Sequence, residues 1–102
     1  MGIELRKIWL NGDFVDWKDA KVHILTHALH YGTAIFEGIK CYPTKKGPAI
    51  FRLQDHLDRL YHGAKIYNFK IPYKKNELVD VCRKIIKINN VNFAYIRPIV
   101  YL

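Results

Sequence analysis

The chain has 102 residues, half of them hydrophobic and a quarter charged, with 17 Lys and Arg against 9 Asp and Glu and a formal charge of +8. That length suits one compact domain rather than two, and the composition excludes a disordered chain. No apolar run approaches the roughly 20 residues that span a bilayer. Met1-Gly2-Ile3-Glu4-Leu5-Arg6 carries no apolar export core, and Arg6 stands where a myristoylation signal needs Ser or Thr, so a cytoplasmic location is expected. Cys41 and Cys82 fit no metal-ligand spacing and read as reduced thiols, Cys82 as a small core residue. The basic residues are spread out, with tight clusters only at Lys45-Lys46 and Lys74-Lys75. A solvated basic surface that favours anionic ligands therefore ranks ahead of a nucleic-acid-binding module.

In chain order, Ile8-Trp9-Leu10 and Phe14-Val15-Asp16-Trp17 flank Asn11-Gly12, the strongest short hairpin signal because both turn residues tolerate positive φ. Val22 to Leu25 reads as a short extended or turn segment, and Ala28 to Tyr31 as one helical turn stopped by Gly32. Thr33 to Tyr42, rich in β-branched and aromatic residues, predicts a long strand. A polar turn over Pro43 to Pro48 returns the chain along Ala49 to Arg52. Leu53 to Phe69 has helical period, with Leu53, Leu57, Leu60, Ala64 and Tyr67 on one face. Asn76 to Ile88 predicts a second helix capped by Asn76, with acidic residues early, basic residues late, and Leu78, Cys82, Ile85 and Ile86 as its stripe. Phe93 to Leu102 predicts a last strand, with Pro98 holding Arg97 extended. The expected class is α+β, an antiparallel sheet of hairpins with two helices packed on one face. The last strand ends in apolar Val100-Tyr101-Leu102, which points to a chain cut within that strand.

Four groups of residues invite a chemical reading. His23, His27 and His30 have zinc-ligand spacing only on a continuous helix, and the extended reading of Val22 to Leu25 argues against one, so no metal is expected. Asp55 and Arg59 make a possible i,i+4 surface pair. Alternatively, Arg59, on a stripe with His56 and Gly63, reaches inward to a buried anion, which its planar fork binds in bidentate fashion. Residue types alone leave these two open. Tyr95 and Arg97 point to the same strand face and suit a ligand carboxylate, but on residue types alone a half-exposed edge strand is the preferred reading. Tyr31, Gly32, Phe36, Glu37 and Gly38 surround the start of the long strand; the glycines permit close backbone approach, and the aromatics line either a pocket or plain core.

His27-Ala28-Leu29-His30-Tyr31-Gly32, Ala34-Ile35-Phe36-Glu37-Gly38-Ile39-Lys40-Cys41-Tyr42, Gly47-Pro48-Ala49-Ile50-Phe51-Arg52, His56, Arg59-Leu60, Ala64-Lys65-Ile66 and Ala94-Tyr95-Ile96-Arg97-Pro98 follow one another in an order and spacing of their own. This ordered set resembles the N-terminal third of the branched-chain aminotransferases, which are fold type IV pyridoxal-phosphate enzymes, from about Ile8 to the end. The resemblance implies that residues 1–102 form the small domain of such an enzyme, without its large catalytic domain. It implies pyridoxal 5'-phosphate as cofactor and transamination of leucine, isoleucine and valine with 2-oxoglutarate, in branched-chain amino acid metabolism. By the same resemblance Arg59 holds the cofactor phosphate. Tyr95 and Arg97 serve the substrate's carboxylate end, with Arg97 suited to the distal carboxylate of glutamate. Phe36 and Gly38 belong to the pocket for the branched side chain, and Tyr31 reaches a pocket across a dimer interface. Partners are amino acids, 2-oxo acids and further copies of the chain in a dimer or larger assembly, not nucleic acid or membrane.

Two departures from the family pattern are Lys40, where arginine is usual, and Gly63, where serine is usual. Lys40 keeps the charge without the fork. No lysine here matches the family's Schiff-base lysine, so residues 1–102 alone are expected to be inactive. The alternatives on the same fold are a D-amino acid aminotransferase and an aminodeoxychorismate lyase; His30-Tyr31-Gly32 and Phe36-Glu37-Gly38 speak for the branched-chain group. Outside it stands a free-standing basic module for nucleic acid or another anionic polymer.

Overall fold

The computed structural model describes residues 2–3 and 6–102; the N-terminal stretch considered for an export signal lies partly outside them. The first hairpin pairs β1 (Lys7–Leu10) with β2 (Asp13–Asp16) through Asn11 at φ 50 and Gly12 at φ 103. Two successive positive φ values make the primed turn that matches strand twist. Lys7 and Asp16 close the hairpin as an ion pair. The predicted helical turn is α1 (His27–Tyr31), ended by Gly32 in the left-handed conformation at φ 66. The amide of Ala28 donates to Leu102 O, and that of Leu102 to Thr33 O, so α1 is tied to the far end of the sheet.

The two long predicted strands are each broken in the middle. Thr33 to Tyr42 resolves into β3 (Ala34–Phe36) and β4 (Ile39–Thr44); Phe93 to Leu102 resolves into β6 (Ala94–Ile96) and β7 (Ile99–Tyr101). β3 pairs β7 and β4 pairs β6, both antiparallel. Continuing the first ladder's register past Phe36↔Ile99 sets Glu37 opposite Pro98 and Gly38 opposite Arg97, and reaches Ile39↔Ile96, where the second ladder begins. The register never slips. The amide of Glu37 donates to Pro98 O at 3.1 Å, but proline has no N–H to return the bond, so the ladder opens there. β5 (Gly47–Ile50) completes a three-stranded sheet in the order β5-β4-β6. The expected polar turn is shorter than Pro43 to Pro48, because Pro43 and Pro48 face each other inside the ladder and only Lys45-Lys46 turn.

Two helices cover one side of these strands. Helix α2 (Leu53–Ile66) buries Leu53, Leu57, Leu60 and Ala64. It stops short of the predicted Phe69, so Tyr67 leaves the stripe and is exposed. Helix α3 (Lys75–Ile88) starts one residue earlier than expected, and Asn76 is not its cap. The Glu77 carboxylate accepts from the Lys74 amide at 3.2 Å and satisfies an orphan donor instead. Leu78, Val79, Cys82 and Ile86 face inward, with Ile39, Leu53, Leu57 and Leu60 completing the core. Burial pushes the Cys82 thiol up to about 11, as befits a core residue. Buried Asn89 latches the first hairpin to α3: it accepts from Lys7 N at 2.7 Å and donates to Lys7 O and Ile85 O. The α+β layering is the one expected. Among the described residues no helix is long and apolar enough to cross a membrane.

Candidate functional site

Strand alternation sorts the residues around the ladder break onto two sides. Ile35, Glu37, Ile39 and Cys41 alternate with Phe36, Gly38, Lys40 and Tyr42, and the first set lies under the helices, where Ile39 and Cys41 are fully buried. On the opposing strands Ile96 and Val100 point to the helix side, and Phe93, Tyr95, Arg97 and Ile99 to the open side.

On the open side Arg97 lies over Phe36, with its guanidinium carbon 4.3 Å from the ring centroid, and 5.3 Å from that of Tyr95. Its Nη2 also donates to Tyr95 Oη at 3.2 Å. The Tyr95 ring covers Gly38 so closely that a Cβ there would come within 1.8 Å of Oη. Any Cβ at Gly38 would therefore displace the Tyr95 ring; the constraint comes from the approach of that side chain, not from a special φ. Phe36, Gly38, Tyr95 and Arg97 therefore form one cluster: a cation over the Phe36 ring and beside that of Tyr95, whose other donors meet no partner among the described residues and can take a carboxylate. Further along the same face, Tyr42 packs edge-on against Phe51 and Phe93.

On the helix side the structure reveals a site that the residue pattern only half discloses. The inward-reaching Arg59 does meet a buried anion, and that anion is Glu37, 7% exposed. Arg59 Nε donates to both carboxylate oxygens at 3.1 and 2.9 Å, and Nη2 donates to Oε1 at 2.8 Å. His56 Nδ1 lies 2.8 Å from the same Oε1. The Arg59 bonds hold the Glu37 carboxyl below the usual carboxylate range, against the opposing effect of burial, with the His56 contact assisting. Glu37 in turn raises Arg59 further above its ordinary value. The i,i+4 pair of Asp55 with Arg59 does not form; Asp55 binds Arg52 at 2.8 Å. In the sequence Glu37 stands out only as a neighbour of Phe36. Its signal is an acidic residue at an inward-facing strand position, opposite a helix stripe carrying His and Arg.

Tyr31 is not brought to either cluster. It is 73% exposed at the end of α1, with its ring 4.4 Å from that of His27. The three histidines of that segment are engaged separately: His23 Nδ1 accepts from Leu25 N, His27 Nδ1 meets Thr33 Oγ1, and His30 Nε2 meets Ile24 O. Lys40 is exposed on the open side, and Gly63 faces Ile35, whose Cδ1 a Cβ there would meet at 3.8 Å. A cavity of about 560 Å³ lies elsewhere, between β5 and α3, and includes none of these residues.

A family model described as amino-transferase class IV matches residues 34–102. The branched-chain-amino-acid aminotransferase of Escherichia coli strain K12 is 52% identical over 95 residues, covering 93% of this chain and 31% of that protein. The corresponding protein of Pseudomonas aeruginosa is 50% identical over 94 residues, 92% of this chain and 31% of that protein. Among solved structures, the Escherichia coli branched-chain amino acid aminotransferase superposes with a TM-score of 0.93 at 50% identity, covering 95% of this chain and 32% of that one. The branched-chain amino acid aminotransferase of Thermobaculum terrenum, in its PLP form, gives 0.85 at 27% identity, covering 96% and 33%. The chain thus spans about a third of the length of these relatives.

Proposed function

The chain belongs to the amino-transferase class IV family, and from that premise we propose that it is the N-terminal small domain of a pyridoxal-phosphate-dependent branched-chain amino acid aminotransferase working in the cytoplasm. The large domain, with the lysine that carries the cofactor, lies in this reading outside residues 1–102, and these residues alone are inactive. The substrates are leucine, isoleucine and valine, with 2-oxoglutarate as amino acceptor.

The observation that carries the reading is the open-side cluster. A guanidinium held by Tyr95 and stacked on Phe36 stands on an aromatic-rich face, on which Lys40, paired with Tyr95 across the strands, is a second cation. One site must take both an aliphatic side chain and the distal carboxylate of glutamate. An apolar wall with one pre-aimed arginine meets both needs, because Arg97 binds the carboxylate and is stacked out of the way when the side chain is aliphatic. Phe36 and Gly38 shape the wall, and the absence of a Cβ at Gly38 is what lets Tyr95 sit down on it.

The chain's donors also fit the cofactor. Arg59 offers a phosphate the guanidinium edge that Glu37 does not use. Once bound, pyridoxal phosphate supplies the electron sink for amino-group exchange. Tyr31, exposed and apart from both clusters, serves the pocket of a second copy in a dimer.

The test is made on the full-length protein with leucine, isoleucine, valine and glutamate as donors. Activity is expected for leucine, isoleucine and valine with 2-oxoglutarate as acceptor, and for glutamate with a branched-chain 2-oxo acid as acceptor. Substitution Arg97→Leu should raise KM for glutamate far more than for leucine. Equal losses for both donors would remove Arg97 from its role, and activity confined to D-amino acids would overturn the branched-chain reading.

A further inference from the structure

Arg59 is the cofactor's phosphate anchor in the proposed function, and its further role depends on that reading. Its side chain is 71% exposed. An arginine so exposed ordinarily samples many rotamers, and an anchor that wanders must be ordered each time the ligand binds. Arg59 is not free in that way. Of its five N–H donors, the edge formed by Nε and Nη2 is held by Glu37. Nη1, and with it the edge shared by Nη1 and Nη2, has no hydrogen-bond partner among the described residues. That second edge is the one that grips two oxygens of a phosphate monoester side by side.

Glu37 is itself held from several directions. It is buried, its amide is bound to Pro98 O across the ladder break, and His56 Nδ1 meets the same Oε1 that takes two of the Arg59 contacts. His56 sits one turn before Arg59 on α2, so helix and sheet grip the carboxylate together. The break in the ladder falls at this same residue, whose side chain faces α2 by strand alternation. Pro98 cannot donate to Glu37 O, so the only ladder bond between the two residues is the one from the Glu37 amide to Pro98 O.

We infer that Glu37 and His56 are positioning residues: they lock the Arg59 rotamer so that its open edge is presented to the phosphate group of the cofactor. Charge alone argues the other way. Glu37 cancels part of the positive charge that attracts a dianion, so neutralising it should tighten phosphate binding if attraction were all that mattered. Positioning and attraction therefore predict opposite signs for the same substitution.

The experiment uses the full-length apo-protein, titrated with pyridoxal phosphate and, in parallel, with pyridoxal, which lacks the phosphate. The ³¹P chemical shift of bound pyridoxal phosphate is followed against pH as a readout independent of turnover. In Glu37→Gln, affinity for pyridoxal phosphate should fall by at least about tenfold while that for pyridoxal stays unchanged, and the ³¹P titration should move towards that of the free cofactor. His56→Ala should show a smaller loss of the same kind, and His56→Asn, whose amide can donate near the position of Nδ1, should restore it. Pyridoxal phosphate bound by Glu37→Gln as tightly as by the unaltered protein, or tighter, overturns the inference. Should Glu37→Gln not fold, the two His56 variants decide by the same criteria: equal affinities in His56→Ala and the unaltered protein overturn it. Arg59→Ala separates the two layers. Unchanged phosphate-dependent affinity in Arg59→Ala sinks the anchor reading itself, whereas a loss there with no change in Glu37→Gln sinks only the positioning role.

Discussion

The two sides of the ladder break use the same residue types for different ends. Beneath the helices an arginine meets a carboxylate, and the chain supplies both partners along with a histidine. On the open side an arginine meets, among the described residues, a tyrosine hydroxyl and the faces of two aromatic rings. A buried carboxylate is costly unless it is paired, so the covered side had to be completed within the fold. The open side is under no such pressure, because water serves its spare donors until a ligand replaces it. The buried carboxylate is thus paired within the fold, whereas the donors left over on the outer edge of Arg59 and on Arg97 mark where a ligand can be received.

This contrast can be broken by substitution. The largest loss of stability should come from the covered side. Leu57 is 0% exposed between α2 and the sheet, and Leu57→Ala is expected to cost about 2–5 kcal/mol in urea unfolding. Next comes Asn89→Ala, which orphans the Lys7 amide and carbonyl and should cost about 1–3 kcal/mol by the same measurement. A smaller effect is expected from acid. Because the folded-state pKa of Glu37 lies below its ordinary 4.5, its contribution is fully present above that value and is lost as pH falls through the depressed one. The stability difference between the unaltered protein and Glu37→Gln should therefore shrink as pH falls below 4.5, as shown by urea midpoints across the acid range. A difference that grew on acidification would contradict the ion pair. Smallest of all should be Phe36→Ala. Phe36 is 55% exposed, so its removal should cost less than about 1 kcal/mol while freeing Arg97 from its stacked position. If Phe36→Ala proved as damaging as Leu57→Ala, the open side would have to be covered by another part of the protein.

Elements governed by nearby residues were legible in the chain itself. Asn11-Gly12 announces its turn because few residue pairs tolerate two positive φ values, Gly32 stops α1 for the same reason, and the periods of α2 and α3 reveal their buried stripes. The ordered motifs around Phe36, Arg59 and Tyr95 were enough to point to the family. Two strands nonetheless broke where a single strand was expected. β-propensity describes how a segment suits a sheet, but Pro98 opens the ladder only because the register sets it opposite Glu37, and register is a property of the pair of strands. The partner of Arg59 was likewise beyond sequence spacing. Asp55 stood four residues away on the same helix, yet the carboxylate that won came from a strand, 22 positions distant along the chain. Burial decided the matter: Asp55 is left in water, where an ion pair gains little, while Glu37, buried by the packing of α2 on the sheet, cannot be left without its counter-charge.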